Sequence, residues 1–175
     1  STLIMTLFPY TTLFRSQKSM NSDEFIMNEH NKDEFPPAHT AEHLLNQTMI
    51  RMFGCGRSNN AHIERKKSKM SYVLDHKPTR KEEKEIESRM NELIADDLPV
   101  TYEFVDKDNL PQGISVDKLP GDVSQKVRLV RIGDYDVCPC IGKHVRSTAQ
   151  IGRFELLGTN WDEASHTFRV RFKIV

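Results

Sequence analysis

The sequence predicts an α+β fold, with helices packed on one face of a mainly antiparallel sheet. Three observations predict it. Two stretches with apolar residues at helical spacing lie early in the folded region. After Pro99 the pattern becomes mostly strand-like. No internal repeat breaks this order.

Residues 1–35 read as a tail preceding a single domain at 36–175. The apolar start lacks a basic flank and is interrupted by Pro9, which argues against a signal peptide. Residues 6–16, TLFPYTTLFRS, resemble the in-frame translation of a short-read sequencing adapter. On that reading residues 1–16 are foreign and removable, and translation starts naturally at Met20 or Met27. Pro36-Pro37 ends the tail. Residues 38–53 form the first helix, with Ala41, Leu44, Leu45, Thr48, Met49, Met52 and Phe53 on its apolar face and Gly54 closing it. Residues 55–68 read as a loop, and 71–75 as a short strand. Thr79 and Glu82 fit a capping box, opening a second helix with Ile86, Met90, Leu93, Ile94 and Leu98 as its stripe and Pro99 as its stop. Strands follow at 100–105 and 127–132, the latter apolar on both faces and therefore central. Between them, 106–125 reads as a connection. The segments 154–157 and 168–175 form an antiparallel pair, and Arg169, Arg171 and Lys173 alternate with a buried set, giving one basic face.

Composition excludes several classes. With 25 Lys+Arg against 25 Asp+Glu, the chain is not a wholesale cationic binder of nucleic acid. Three basic and five acidic groups precede Pro36, so the remainder is mildly basic, at +2. No apolar run is long enough for a membrane span. The cysteines at 55, 138 and 140 form no disulfide framework, so a reducing, cytoplasmic setting is expected and metal or catalytic use of a thiol is open.

The chemistry concentrates in two segments. His39-Thr-Ala-Glu-His43 lies in the first helix, and residues four apart lie about 40° apart on one helix face, so both imidazoles can reach one ion. Cys138-Pro-Cys-Ile-Gly-Lys-His144 repeats that offset between Cys140 and His144. Three imidazoles and a thiolate suit a tetrahedral Zn²⁺. Cys138 competes with Cys140 for the fourth place; the spacing to His144 favours Cys140. Glu42 adjoins a ligand and is a candidate base, with solvent as its other direction. His39–His43 is also an H-x-x-E-H string, the inverted zincin motif of some metalloproteases, in which Glu42 would be the base. A closed four-ligand site would equally suit a non-catalytic module with structural zinc.

With its following Leu44-Leu45, the helix motif resembles the second additional domain shared by alanyl- and threonyl-tRNA synthetases. So do Cys140-Ile-Gly-Lys-His144, Thr148 and Ile151-Gly-Arg-Phe154. Within that family the chain is similar to the small stand-alone alanyl-tRNA editing proteins. The resemblance implies hydrolysis of the ester joining a wrong amino acid to tRNA, first of all serine on alanine tRNA, in trans. It implies a zinc site at His39, His43, Cys140 and His144. Where such proteins often have Gly-Gly-Thr between Cys and His, this chain has Ile141-Gly142-Lys143. Lys143 is a candidate contact to the 3′ phosphate or ribose, and Thr148 belongs to the same motif. Asn59 and Asn60 stand where editing synthetases carry a substrate-contacting Gln. Arg57, Arg65, Lys66, Lys67 and Lys69 form the candidate tRNA contact, phosphate contacts of this kind giving affinity without base readout.

Overall fold

In the computed structural model, residues 34–116 and 125–175 are described. The readings made of residues 1–33, including the adapter-like stretch, lie outside them, as does part of the 106–125 connection.

Helix α1 spans Pro36–Phe53, two residues earlier than its apolar pattern. Pro36 and Pro37 occupy the first turn, where a missing N–H removes no helical bond. Gly54 closes the helix in the left-handed region (φ 64°), its N–H donating to the Ile50 carbonyl. Helix α2 (Arg80–Ala95) opens with the expected capping box: Glu82 N–H donates to Thr79 Oγ1 at 3.2 Å, and Thr79 N–H to Glu82 Oε2 at 2.7 Å. Ile86, Met90 and Ile94 are its buried stripe. It ends before Leu98, because Asp97 turns into the left-handed region (φ 51°).

The strands are β1 (Asn60–His62), β2 (Ser68–Val73), β3 (Val100–Asp106), β4 (Lys126–Ile132), β5 (Asp136–Pro139), β6 (Phe154–Asp162) and β7 (Thr167–Ile174). Among the described residues every pairing is antiparallel. Two sheets result, ordered β1-β2-β7-β6 and β3-β4-β5, rather than one continuous sheet. β5 is only four residues long and ends on Pro139, which has no N–H to extend a ladder. β1 lies in the stretch expected to be all loop. β4 is central, as its apolar run requires. β6 runs on to Asp162 through a bulge at Leu156/Gly158, so it is twice as long as its apolar pattern suggests.

Met70, Tyr72, Phe154, Phe168, Val170 and Phe172 line the inner face of the larger sheet and join Leu44, Leu45, Met49, Ile86 and Met90 in one buried cluster. Lys69, Arg169 and Lys173 stand on the opposite face, Lys69 directly across from Arg171. α1 is buried on most sides, since it packs on α2 and touches β5 and β7. That central place holds its polar residues His43, Thr40 and Asn46 inside the protein.

Candidate metal centre

α1 contributes His39 and His43, and the segment after β5 contributes Cys140 and His144. One ligand atom from each of the four lies within 4.8 Å of all the others. The His39 and His144 rings stack at 4.2 Å, and the His43 ring stands edge-on to His144 at 4.5 Å. Cys140 Sγ lies 3.4 Å from His39 Nε2.

Two of the imidazoles are hydrogen-bonded from behind. His39 Nδ1 lies 3.0 Å from both the Lys143 carbonyl and Glu34 Oε1. His144 Nδ1 pairs with Thr40 Oγ1 at 3.0 Å, and that hydroxyl also accepts the Val145 N–H. His43 Nδ1 faces Asp136 Oδ2 at 3.7 Å, too far for a hydrogen bond. Asp136 is itself fully buried and fixed by a two-pronged ion pair with Arg57 (2.8 Å each) and by Gln47 at 3.1 Å. Hydrogen-bonded partners behind ligating histidines are what a metal site requires to fix ring and tautomer.

The ligand loop is tied down equally closely. The Arg128 guanidinium donates to the Cys140 carbonyl at 2.7 Å and to that of Gly142. Gly142 N–H points to Cys140 Sγ at 3.4 Å, and Lys143 N–H donates to Glu34 at 2.7 Å. At Gly142 the backbone passes so near His39 that a methyl group would collide with that ring and with the Glu34 carboxylate.

Burial, then the neighbouring imidazoles and the Arg57 and Arg128 guanidinium groups, push His43 well below the usual histidine range. Burial and the same kinds of charge take His144 down to about 2. Burial also pulls on His39, but Cys140, Glu42 and the Lys143 carbonyl outweigh it and raise that imidazole to about 9. Two neutral histidines are therefore ready as ligands. His144 Nε2 and His43 Nδ1 are buried without a hydrogen-bond partner. With His144 Nδ1 occupied by Thr40, its bare Nε2 beside a thiol and two more imidazoles is the pattern a borderline-soft cation would satisfy. The residues fit zinc.

The structure sorts the other candidates. Cys138 stays out of the group; its thiol donates to the Pro139 carbonyl at 3.5 Å, and burial pushes it up to about 11. Cys55 is a free thiol packed at the margin of the core. Glu42 turns inward: its carboxylate lies 3.8 Å from His39 Nε2. Among the described residues, Cys140 and His144 rather than a distant Glu complete the helix pair, so no inverted-zincin arrangement is formed there. Two assignments need correction. Arg57 is held by buried Asp136 and is no surface phosphate contact. Thr148 is fully buried, its hydroxyl donating to the Leu93 carbonyl and accepting the Leu98 N–H; it fastens the end of α2 rather than touching a substrate. Asn59 and Asn60 are exposed on the β1 margin, and neither side chain bonds to the metal group among the described residues. Lys143 meets the site through its backbone, with an exposed side chain. Arg65 lies over the Phe35 ring at 4.3 Å, while Lys66, Lys67 and Lys69 are exposed. Glu34 and Phe35, counted with the tail, contact His39, the Lys143 backbone and Arg65.

Asp136, Glu34, Thr40 and Arg128 were missed. Asp136 had a signal: it is an acid heading a short strand that carries the ligand segment. Glu34 and Thr40 act through contacts about a hundred residues apart, and Arg128 through carbonyls 12 and 14 residues further on, which no local pattern encodes.

Residues 127–170 match the family of the threonyl and alanyl tRNA synthetase second additional domain. Over 136 residues the chain is 32% identical to the alanyl-tRNA editing protein AlaX-L of Pyrococcus horikoshii, covering 77% of this chain and 32% of that protein. It is 30% identical over 153 residues to an alanine–tRNA ligase of Halorubrum lacusprofundi, covering 84% of this chain and 16% of the ligase. An alanine–tRNA ligase of Methanococcus vannielii is 32% identical over 127 residues, with 69% and 14% covered. The chain thus spans about a third or less of these relatives' length. With Cys140 and His144 inside the matched residues and His39 and His43 folded onto them, the chain belongs to the family of the threonyl and alanyl tRNA synthetase second additional domain.

Proposed function

We propose that this chain hydrolyses the ester of mischarged aminoacyl-tRNA in trans, with serine on alanine tRNA as its preferred substrate and Zn²⁺ held by His39, His43, Cys140 and His144. The observation that carries the reading is the convergence of these four donors around a buried, unpaired imidazole nitrogen. The relatives named as an alanyl-tRNA editing protein and alanine–tRNA ligases support the substrate class. Such editing exists because a small pocket cannot strongly reject a near-isostere during charging.

The chemistry that zinc supplies when bound is Lewis-acid polarisation of the ester carbonyl. The chain's residues do the remainder. Glu42, beside His39 Nε2, takes a proton at its carboxylate from the attacking water. Its proton then passes to the departing ribose oxygen, so the free amino acid and the tRNA hydroxyl are released. Thr40, Glu34 and the Lys143 carbonyl hold two of the imidazoles in one tautomer. The exposed Lys66, Lys67 and Lys69 contact the RNA backbone. The free cysteines accord with a reducing, cytoplasmic setting.

The closed set of four donors also suits a binding module with structural zinc. Deacylation separates the two readings. tRNA charged separately with serine, glycine, alanine and threonine is incubated with zinc-loaded protein, and the release of each amino acid is measured. Serine should be released fastest from alanine tRNA. Cys140→Ala should strongly reduce the rate while the helices stay folded. A wild-type rate in that variant would sink the reading, as would release of alanine as fast as serine.

A further inference from the structure

The smaller sheet presents one face to the metal group, and that face continues beyond it. Registers place Asp136, Ile132 and Val100 in one row, Cys138, Val130 and Tyr102 in the next, and Arg128 opposite Phe104 in a third. Residues opposed in an antiparallel ladder share a face. On β5 the face carries site residues; on β3, at the outer side of the sheet, it carries Tyr102 and Phe104. These are 45% and 49% exposed, among the few large apolar side chains so exposed in the described residues.

Tyr102 is not a stray surface ring. The guanidinium of Arg128 covers one of its faces at 4.6 Å, and Arg128 is fixed by the Cys140 and Gly142 carbonyls of the ligand loop. With that face covered, the exposed area belongs to the other face and the ring edge. The ring centroid lies 6.5 Å from that of His144. A flat, half-exposed, backed aromatic ring beside a hydrolytic centre is suited to stacking another flat ring. Single-stranded RNA ends are recognised in this way, bases stacking on aromatic side chains and guanidinium planes.

We infer that Tyr102, backed by Arg128, stacks the 3′-terminal nucleobase of the tRNA and so places the ester over the metal group. The inference deepens the deacylase reading and rests on it. The geometry suits the chemistry, because base and ester are two substituents of one ribose. A base on Tyr102 leaves its ribose between that ring and His144. Phe104, farther along the same face, extends the platform toward the preceding nucleotide.

Two measurements test it. The first needs no activity. In a Trp161→Phe background, Tyr102→Trp supplies a single fluorophore in this otherwise one-tryptophan chain. The probe is an RNA hairpin of the alanine acceptor stem ending in CCA, against the same hairpin lacking the terminal A. Quenching by the first and not the second is expected; equal or absent quenching overturns the inference. The second is steady-state deacylation. Stacking that is the same in ground and transition states appears in KM. Tyr102→Ala should raise KM about fivefold to a hundredfold at nearly unchanged kcat, and Tyr102→Phe should retain wild-type KM. Tyr102→Leu should behave like Tyr102→Ala; if it matches Tyr102→Phe, the ring is only filler and the inference fails. Loss of kcat and bound zinc in Tyr102→Ala at unchanged KM would likewise overturn it, pointing to support of Arg128 instead. If the intact protein deacylates nothing, the function reading fails, while the quenching assay still decides the platform.

Discussion

Asp136 is the residue on which the site's rear wall depends. Its carboxylate is wholly buried and faces the Arg57 guanidinium, which is 26% exposed, so this ion pair is largely out of water. Removing one partner of such a pair strands the other charge, which typically destabilises by 3–5 kcal/mol. Asp136→Ala should therefore lower unfolding free energy by about 3 kcal/mol, the low end because Arg57 keeps some contact with water. The double variant Asp136→Ala/Arg57→Met should recover part of that loss in denaturant titration. If the single and double variants are equally destabilised, the stranded charge is not the cause. Gly142 makes a different demand, one of space. Gly142→Ala would drive a methyl into the His39 ring, shifting a ligand while sparing the core. Zinc affinity, measured by competition with a chelator, should fall about tenfold or more, the scale on which disturbed ligand support acts. Unchanged affinity would show that the loop gives way without moving His39. Neither residue carried a strong sequence signal: Asp136 acts through Arg57, 79 residues earlier, and the Gly142 constraint exists only once α1 lies beneath it.

Elements whose cause is local were legible, and those with a distant cause were not. α2 was readable in full at its start, because Thr79 and Glu82 satisfy each other's backbone within four residues. Thr79→Ala should cost about 1 kcal/mol, seen as a fall of roughly 2–4 °C in Tm for a chain of this size; no shift would mean that the helix start is held by tertiary packing alone. The start of α1 shows the opposite. Its apolar pattern begins at Ala38, yet the helix begins at Pro36, since proline is compatible with a first turn as well as with a break. β5 escaped notice because it is only four residues long and abuts the ligand segment, and β1 because its three residues are all exposed. The helical pair of ligands was legible from the four-residue offset, which is a property of the helix itself. Cys140 and His144 share that offset but lie in an irregular segment, where Arg128, Thr40 and Glu34 supply the geometry a helix would have given.

At the scale of the whole molecule, the fold sorts the surface charge. The cluster expected between α1 and β2 is divided by the fold: Arg57 goes inward to Asp136, Arg65 covers Phe35, and Lys66, Lys67 and Lys69 remain in water. Lys69 stands directly opposite Arg171 on the outer sheet face. Like charges placed across a ladder are mildly unfavourable to folding, and an anionic partner would relieve them. If the RNA backbone is that partner, binding must release counterions, and each phosphate neutralised adds roughly 0.7–0.9 to the steepness of log affinity against log salt. Replacing Lys66, Lys67 and Lys69 together by Ala should thus flatten that slope by about 2 and weaken binding of an alanine tRNA most at low salt. The rate of zinc-dependent ester hydrolysis on a saturating substrate should hardly change, because none of the three touches the metal group. An unaltered slope would mean that the tRNA body lies elsewhere, leaving these lysines as ordinary solvated charge.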